Sequence, residues 1–287
     1  MPNLYVVATP IGNLEDISLR ALRVLREVRL IAAEDTRKTK RLLKTYDIKT
    51  PMTSYHEHNE KAKLDYILNY LKEGDVALVS EAGMPGVSDP GYELIGAANQ
   101  SGIPVIPVPG PSAVITALVA SGLPTDRFLY LGFLPRRAAA RKQVLESVAQ
   151  ESGTLVILEA PHRLRQTLND LRLVLGDRRM AVCRELTKLH EEVFRGAISQ
   201  AAARFTEPRG EFTLVIEGIR DADKPILNKD IEKQLGDMYQ RRIKAREAIA
   251  SVAAETGLSR RELYRAWLKL DKSSSDKRRP CHSLERS

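Results

Sequence analysis

The sequence predicts an α/β chain made of two α/β domains followed by a small helical domain. Three observations carry this. Short β-branched runs alternate with amphipathic helical stretches over the first 219 residues. Loops rich in Gly and Pro follow several of the strands, and beyond a polar linker the pattern turns to helix alone. With 287 residues, 43% of them hydrophobic and 29% charged, the chain has apolar material for about two cores and is not a disordered polymer.

Leu4–Val7 reads as the first strand. Ser18 is placed to cap a helix whose apolar positions Leu19, Leu22, Leu25 and Val28 recur at helical spacing, with Arg20, Arg23 and Arg26 outside. A second strand, Leu30–Ala33, leads to a basic helix over Thr36–Lys44. A helix over residues 59–72 ends at Gly74, before the strand Val76–Ser80. The loop Glu81–Gly91 precedes a helix near 92–101, the strand Val105–Val108 and a helix opening at Ser112. Gly122–Asp126 punctuates the chain as a domain boundary. The second domain has strands at Phe128–Phe133, Thr154–Leu158, Met180–Arg184, Val193–Gly196 and Glu211–Glu217, with helices near 138–150, 163–175 and 198–205. After the linker come helices at 229–241 and 244–255, a turn at Gly257, and a helix capped by Ser259 running through Lys269. The expected domains are therefore 1–122 and 123–219, a linker 220–228, a helical domain 229–271, and a disordered tail 272–287.

The net charge of +8 is uneven: residues 224–287 carry +7 and residues 1–223 only +1. Further basic clusters lie in residues 20–49, with ten cations and four acids, and at Arg136, Arg137, Arg141 and Lys142. Each alone reads as a solvated helix face, but three together favour a polyanionic partner. No apolar stretch approaches the length of a membrane span, no secretory leader is apparent, and the two cysteines, Cys183 and Cys281, make no disulfide framework. A cytoplasmic protein with no membrane partner is expected.

Chemistry is expected at the strand ends. The loops Ala8–Asn13, Glu81–Gly91 and Pro109–Ala113 can line one crevice at the carboxyl edge of a sheet. None is a dinucleotide or Walker fingerprint, so a phosphate-driven reaction is disfavoured. Polar residues crowd other strand ends, in Glu34–Lys38, Tyr55–Asn59, Glu159–Arg163 and Arg184–Glu192. Glu34, Asp35 and Arg37 read equally well as a helix start, acids near its amino end. His56 and His58 flank Glu57, but no further ligand spacing supports a metal site, and none is expected.

Taken in order, LYVVATPIGNLEDIS, AAEDTRKT, SYHEHNE, VSEAGMPGVSDPG, PVPGPSA, GLPTDRF, EAPHR, CRELTKLHEE and GEFTLVIEG closely resemble the tetrapyrrole methylase superfamily, and within it the branch that modifies ribosomal RNA. The resemblance spans about residues 3–219, and the helical tail also resembles that of the RNA-modifying branch. It implies two α/β domains of the tetrapyrrole methylase type, S-adenosylmethionine in the cleft between them, and commonly a homodimer. It further implies 2′-O-methylation of a cytidine ribose in small-subunit (16S) ribosomal RNA, free or within the assembled subunit. The wider superfamily carries Gly-Asp-Pro in the second loop, where this chain has Gly83-Met84-Pro85, a departure that speaks for RNA over a tetrapyrrole. The RNA branch usually reads Ser-Asp-Ala-Gly where this chain has Ser80-Glu81-Ala82-Gly83.

By position, the resemblance assigns cofactor contacts to Ile11, Met84, Val87, Ser112 and Ala113, and from the second domain to Ala160, Leu186 and Leu214. A ribose hydroxyl needs a base or a cation to stabilise the developing alkoxide. The base stays open among Glu34, Asp35, Arg37, Glu159, Arg184, Glu185 and Lys188. The reaction centre is expected where Glu34–Lys38 and Arg184–Lys188 converge, Arg37 and Arg184 gripping phosphates and Glu185 or Lys188 meeting the hydroxyl. Arg136, Arg137, Arg260, Arg261, Arg265 and Lys269 are the expected RNA-binding cations, while Trp267 is expected to fill a three-helix core. Two rivals are a precorrin-type tetrapyrrole methyltransferase and a non-enzymatic RNA-binding assembly factor.

Overall fold

A computed structural model describes residues 2–219 and 227–276. Residues through Gly218 form one compact unit that contains both sheets, and the described residues after it form a second.

The first sheet is parallel throughout. Its strands β1 (Leu4–Val7), β2 (Leu30–Ala33), β3 (Met52–Ser54), β4 (Val76–Val79) and β5 (Val105–Val108) stand in the order β3-β2-β4-β1-β5. Strand alternation splits its core in two. Ile31, Ala33, Ala77 and Val79 face Leu22, Leu25, Leu42 and Leu43 of α1 (Leu19–Glu27) and α2 (Thr36–Thr45). Leu30, Ala32, Val76 and Leu78 face Ile67 and Leu94 of α3 (Glu60–Tyr70) and α4 (Tyr92–Gln100). Burial on both faces explains why β2 and β4 read as unbroken apolar runs. The adjacent strands β1 and β4 send their following helices to opposite faces, which opens a crevice at their carboxyl ends.

Two local expectations change. The edge strand β3 escapes the sequence reading because Met-Thr-Ser is short and polar and follows Pro51. Leu19 is 86% exposed, because the first turn of α1 points it away from the sheet, and Ala21, Leu22, Val24 and Leu25 supply the core instead.

The second sheet is mixed. Strands β6 (Phe128–Phe133), β7 (Thr154–Glu159), β8 (Arg179–Arg184), β9 (Glu192–Ala197) and β10 (Phe212–Ile216) stand in the order β6-β7-β10-β8-β9, with only β6 and β7 parallel. One face is covered by α6 (Ala138–Ser147), α7 (Pro161–Leu175) and α8 (Ile198–Arg204), through Leu145, Leu164, Leu168 and Ile198. The other takes α5 (Ala113–Ser121), whose Ala117 and Leu118 meet Val156, Ala181 and Val215. So α5 precedes the expected boundary at residue 122 in sequence yet packs on the second sheet. Gly122 ends it in the left-handed region that glycine adopts freely.

Arg141 does not join the basic surface expected of it. It is buried, paired with Asp170 at 2.6 Å, and its Nη1 donates to the carbonyls of Pro135 and Arg136. It thus anchors the turn that presents the exposed Arg136 and Arg137.

In the second unit, α9 (Lys229–Gln240), α10 (Ala245–Thr256) and α11 (Arg260–Asp276) share a core built on Leu235, Ile249, Val252, Leu263 and Trp267. The Trp267 ring meets that of Tyr239 edge-on, with 5.3 Å between centroids. Asn228 caps α9 by accepting the Ile231 N–H. Ser259 accepts the Glu262 N–H and its hydroxyl donates to the Glu262 carboxylate, starting α11 after the left-handed Gly257. This helix continues past Lys269 to Asp276 and so enters the segment 272–287 expected to be disordered. Residues 220–226 of the linker and 277–287 of the tail, with Cys281, lie outside the described residues. Among the described residues, no helix is long and apolar enough to cross a membrane.

Candidate active site

Loops from the carboxyl end of the first sheet and from the second sheet enclose a cavity of about 590 Å3. The loop after β1 supplies Ile11, the loop after β4 supplies Met84, Val87 and Asp89, and the start of α5 supplies Ser112 and Ala113. Across from them stand Tyr130, Ala160, Cys183, Leu186 and Thr213.

Specific bonds hold the walls. Thr9 and Gly83 exchange both backbone hydrogen bonds, at 2.9 and 3.0 Å, tying the first two loops together. Ser88 of the second loop meets the Tyr130 hydroxyl at 2.6 Å. Asn13 N–H donates to Thr187 Oγ1 at 3.0 Å, joining the first loop to the segment after β8. At Gly12 the two backbones approach so closely that a Cβ would lie 2.5 Å from Lys188 Cγ and 2.8 Å from the Leu186 carbonyl oxygen. Glu185 and Thr187 both adopt positive φ, +49° and +66°, and they flank the Leu186 that lines the cavity. Such costly backbone geometry persists only where surrounding bonds enforce it.

Of the eight residues expected at the cofactor, Ile11, Met84, Val87, Ser112, Ala113, Ala160 and Leu186 line this cavity, and Leu214 does not. The reason is strand alternation. Thr213 of β10 faces the cavity, whereas the buried Leu214 points to the opposite core with Leu155 and Ile157.

The four residues expected at the reaction centre also lie outside the lining, and each side chain is used elsewhere. Arg184 follows the cavity-facing Cys183, so alternation turns it away; its Nε donates to the Arg209 carbonyl and it pairs with Glu192. Glu185 accepts the Glu211 N–H at 2.8 Å and the Lys188 ammonium at 3.0 Å. Burial opposes ionisation of Glu185, but these two donors outweigh it and hold the carboxyl below its usual range. Lys188, bonded to Glu211 as well, is held above the usual lysine range against its own burial. An acid held ionised and an amine held protonated are poor proton acceptors near neutrality. Arg37 is 91% exposed and paired with Asp35. Asp35 itself caps α2, accepting the Arg37 and Lys38 N–H groups.

Glu34, from the same strand end, does line the cavity. It accepts the Glu81 N–H at 2.9 Å, while the Glu81 carboxylate pairs with Lys38. The longer acid at position 81 therefore reaches across to the start of α2. Burial, then the Asp35 charge, raises the Glu34 carboxyl against Lys38 and His56. Nearby, Asp89 is pushed up to about 6 by burial and by the charge of Glu34, a hydrogen bond from Ser80 opposing. Sequence reading overlooks Asp89 because it sits in a Ser-Asp-Pro-Gly turn, where Asp is common for conformational reasons. Only the fold of the second loop brings it to Glu34. Glu159 also reaches the lining, but its carboxylate is bound to Thr167, to the Ala160 N–H and to Arg163. Among the described residues no three His, Cys, Asp or Glu side chains gather as metal ligands.

The cations expected to meet RNA are all exposed: Arg136 and Arg137 at the start of α6, and Arg260, Arg261, Arg265 and Lys269 along α11.

Residues 3–202 match the family model of the Tetrapyrrole (Corrin/Porphyrin) Methylases. Relatives named Ribosomal RNA small subunit methyltransferase I are similar over most of the chain. The protein of Halalkalibacterium halodurans is 46% identical over 91% of this chain and 93% of its own length. That of Synechocystis is 48% identical over 93% and 98%. That of Thermotoga maritima is 50% identical over 76% of this chain and 99% of its own. Among solved structures, the uroporphyrin-III C-methyltransferase of Thermus thermophilus complexed with S-adenosyl homocysteine shares the fold. Its TM-score is 0.53 at 21% identity, covering 75% of this chain and 97% of that one.

Proposed function

This chain belongs to the tetrapyrrole methylase family, and from that premise we propose that it transfers a methyl group from S-adenosylmethionine to small-subunit ribosomal RNA, at the 2′-oxygen of a cytidine ribose. The observation that carries the reading is the match at 46–48% identity, over more than nine-tenths of the chain, to relatives named for small-subunit rRNA methylation.

The cavity fits this donor. Its volume suits a ligand of that size. Its walls are largely apolar, and the carboxyls of Glu34 and Asp89 among them complement a cationic ligand. Bound there, S-adenosylmethionine supplies a methyl carbon made electrophilic by its sulfonium. Ile11, Met84, Val87, Ala113, Ala160 and Leu186 exclude water and confine the donor, and Ser112 offers a polar contact where it caps α5. Alignment of oxygen, methyl and sulfur supplies a large part of the rate. The proton of the ribose hydroxyl passes to Asp89, which burial and the charge of Glu34 push up to about 6, beside Glu34, whose own carboxyl is raised by burial and by Asp35. Arg136, Arg137 and the α11 cations Arg260, Arg261, Arg265 and Lys269 bind RNA phosphates.

The same reading includes a cytoplasmic homodimer acting on the free or assembled subunit.

Labelled methyl transfer from S-adenosylmethionine to undermethylated small subunits, free rRNA or a precorrin tests the proposal. Label recovered as 2′-O-methylcytidine in the rRNA is the expected result. Label in the precorrin, or in neither, overturns it.

A further inference from the structure

On the rRNA methyltransferase reading one ribose must reach the cavity, so the RNA that carries it must be held along a path leading there, and α2 has the form of such a path. Its sequence, Thr-Arg-Lys-Thr-Lys-Arg-Leu-Leu-Lys-Thr, contains five cations and no acid. Thr39, Leu42 and Leu43 are buried against the first sheet. Arg37, Lys40, Arg41 and Lys44 are all exposed, and their spacing of i, i+3, i+4, i+7 places them on one face. At 1.5 Å per residue that face is about 10 Å long. Its upper end adjoins the strand end whose Glu34 lines the cavity.

Surface helices of folded proteins commonly balance such cations with acids one turn away. Here every neighbouring pair on the face repels, Arg37 with Arg41 and Lys40 with Lys44 among them, each pair weakening an isolated helix slightly. Arg37 has Asp35 beside it, but among the described residues Lys40, Arg41 and Lys44 form no ion pair. The positive end charges suit the C-terminal dipole only in the last turn and leave Lys40 unexplained. A face that repels itself and stays unpaired is matched by a ligand of regularly spaced negative charge.

We propose that Lys40, Arg41 and Lys44 form a phosphate track on α2 that grips the backbone of the substrate RNA beside the nucleotide entering the cavity. The track rests on the rRNA methyltransferase reading above and adds to it a docking surface on the α/β unit, separate from the cations of α11. It positions RNA without reading sequence. Loss of three phosphate contacts lowers the salt slope of binding to a single-stranded segment by about 2.

The test is the full-length variant Lys40→Ala/Arg41→Ala/Lys44→Ala beside the parent, with undermethylated small subunits as the RNA. Alanine favours helix and removes the repulsion, so the variant folds with equal or higher thermal stability. S-adenosylmethionine affinity is unchanged, subunit affinity at low salt falls at least tenfold, and the salt slope flattens by about 2. The charge-keeping variant Lys40→Arg/Lys44→Arg retains the parent slope. A parent that binds and methylates subunits beside a triple variant of equal affinity and slope overturns the track alone. A parent that neither binds nor methylates them overturns the underlying reading, and the track with it.

Discussion

Replacing Asp89 with asparagine keeps the size of the side chain and its ability to accept from the Ser80 hydroxyl while removing its charge. In the unfolded chain this carboxyl ionises from its ordinary value of 3.8; in the folded protein it does so only at about 6, because burial and Glu34 oppose the charge. A raised carboxyl leaves stability intact below 3.8, and stability falls as pH climbs through about 6. The displacement of about two pH units corresponds to about 3 kcal/mol, but Asp89 is only partly buried, and solvent screening reduces this to about 1 kcal/mol. In a unit of this size about 1 kcal/mol moves Tm by about 2–4 °C. Without cofactor, Asp89→Asn is therefore expected to melt about 2–4 °C above the parent at pH 8, the gap closing toward pH 4. The same variant should lose about a hundredfold or more in single-turnover methylation, since asparagine accepts no proton. Thermal melts across pH 4–8 supply the first reading and quenched-flow methylation the second. A stability gap that does not vary with pH, or methylation at the parent rate, refutes the reasoning.

Three further outcomes follow from the packing. Gly12→Ala drives a methyl group against Lys188 and the Leu186 carbonyl, so S-adenosylmethionine affinity measured by calorimetry should drop at least tenfold as the wall shifts. Arg141→Ala leaves Asp170 and two loop carbonyls without their buried partner and should cost about 3 kcal/mol in urea unfolding; a loss below about 1 kcal/mol means that water replaces the guanidinium. Trp267→Ala empties the centre of the three-helix core and should cost that unit about 3 kcal/mol, seen as an earlier melting step by circular dichroism, with cofactor affinity retained.

What local pattern controls, the sequence determines by itself. The apolar runs of β2 and β4, the caps Ser18 and Ser259, the stop at Gly122 and the helix-only tail each follow from the chain's own periodicity and turn chemistry. Through the family they resemble, the ordered motifs likewise name seven residues of the cavity wall, and those from the first sheet sit together because loops after parallel strands have one edge on which to gather. Tertiary structure alone decided whatever depends on which neighbour a side chain meets. Helix α5 is continuous in sequence with the first sheet, but its apolar face found the second. Arg184 and Leu214 look as eligible as Cys183 and Thr213 until strand register sends alternate residues to opposite faces. Glu185 and Lys188 have the right chemistry, yet they neutralise one another and brace the Glu211 backbone. Conversely, Asp89 lies 55 residues from Glu34 in a turn that needs no chemical explanation, and the two carboxyls shift only once folding has removed water from around them. Periodicity specifies which face of an element is apolar; what that face meets, and which charges come to share a dry space, is set by contacts between residues far apart in the chain.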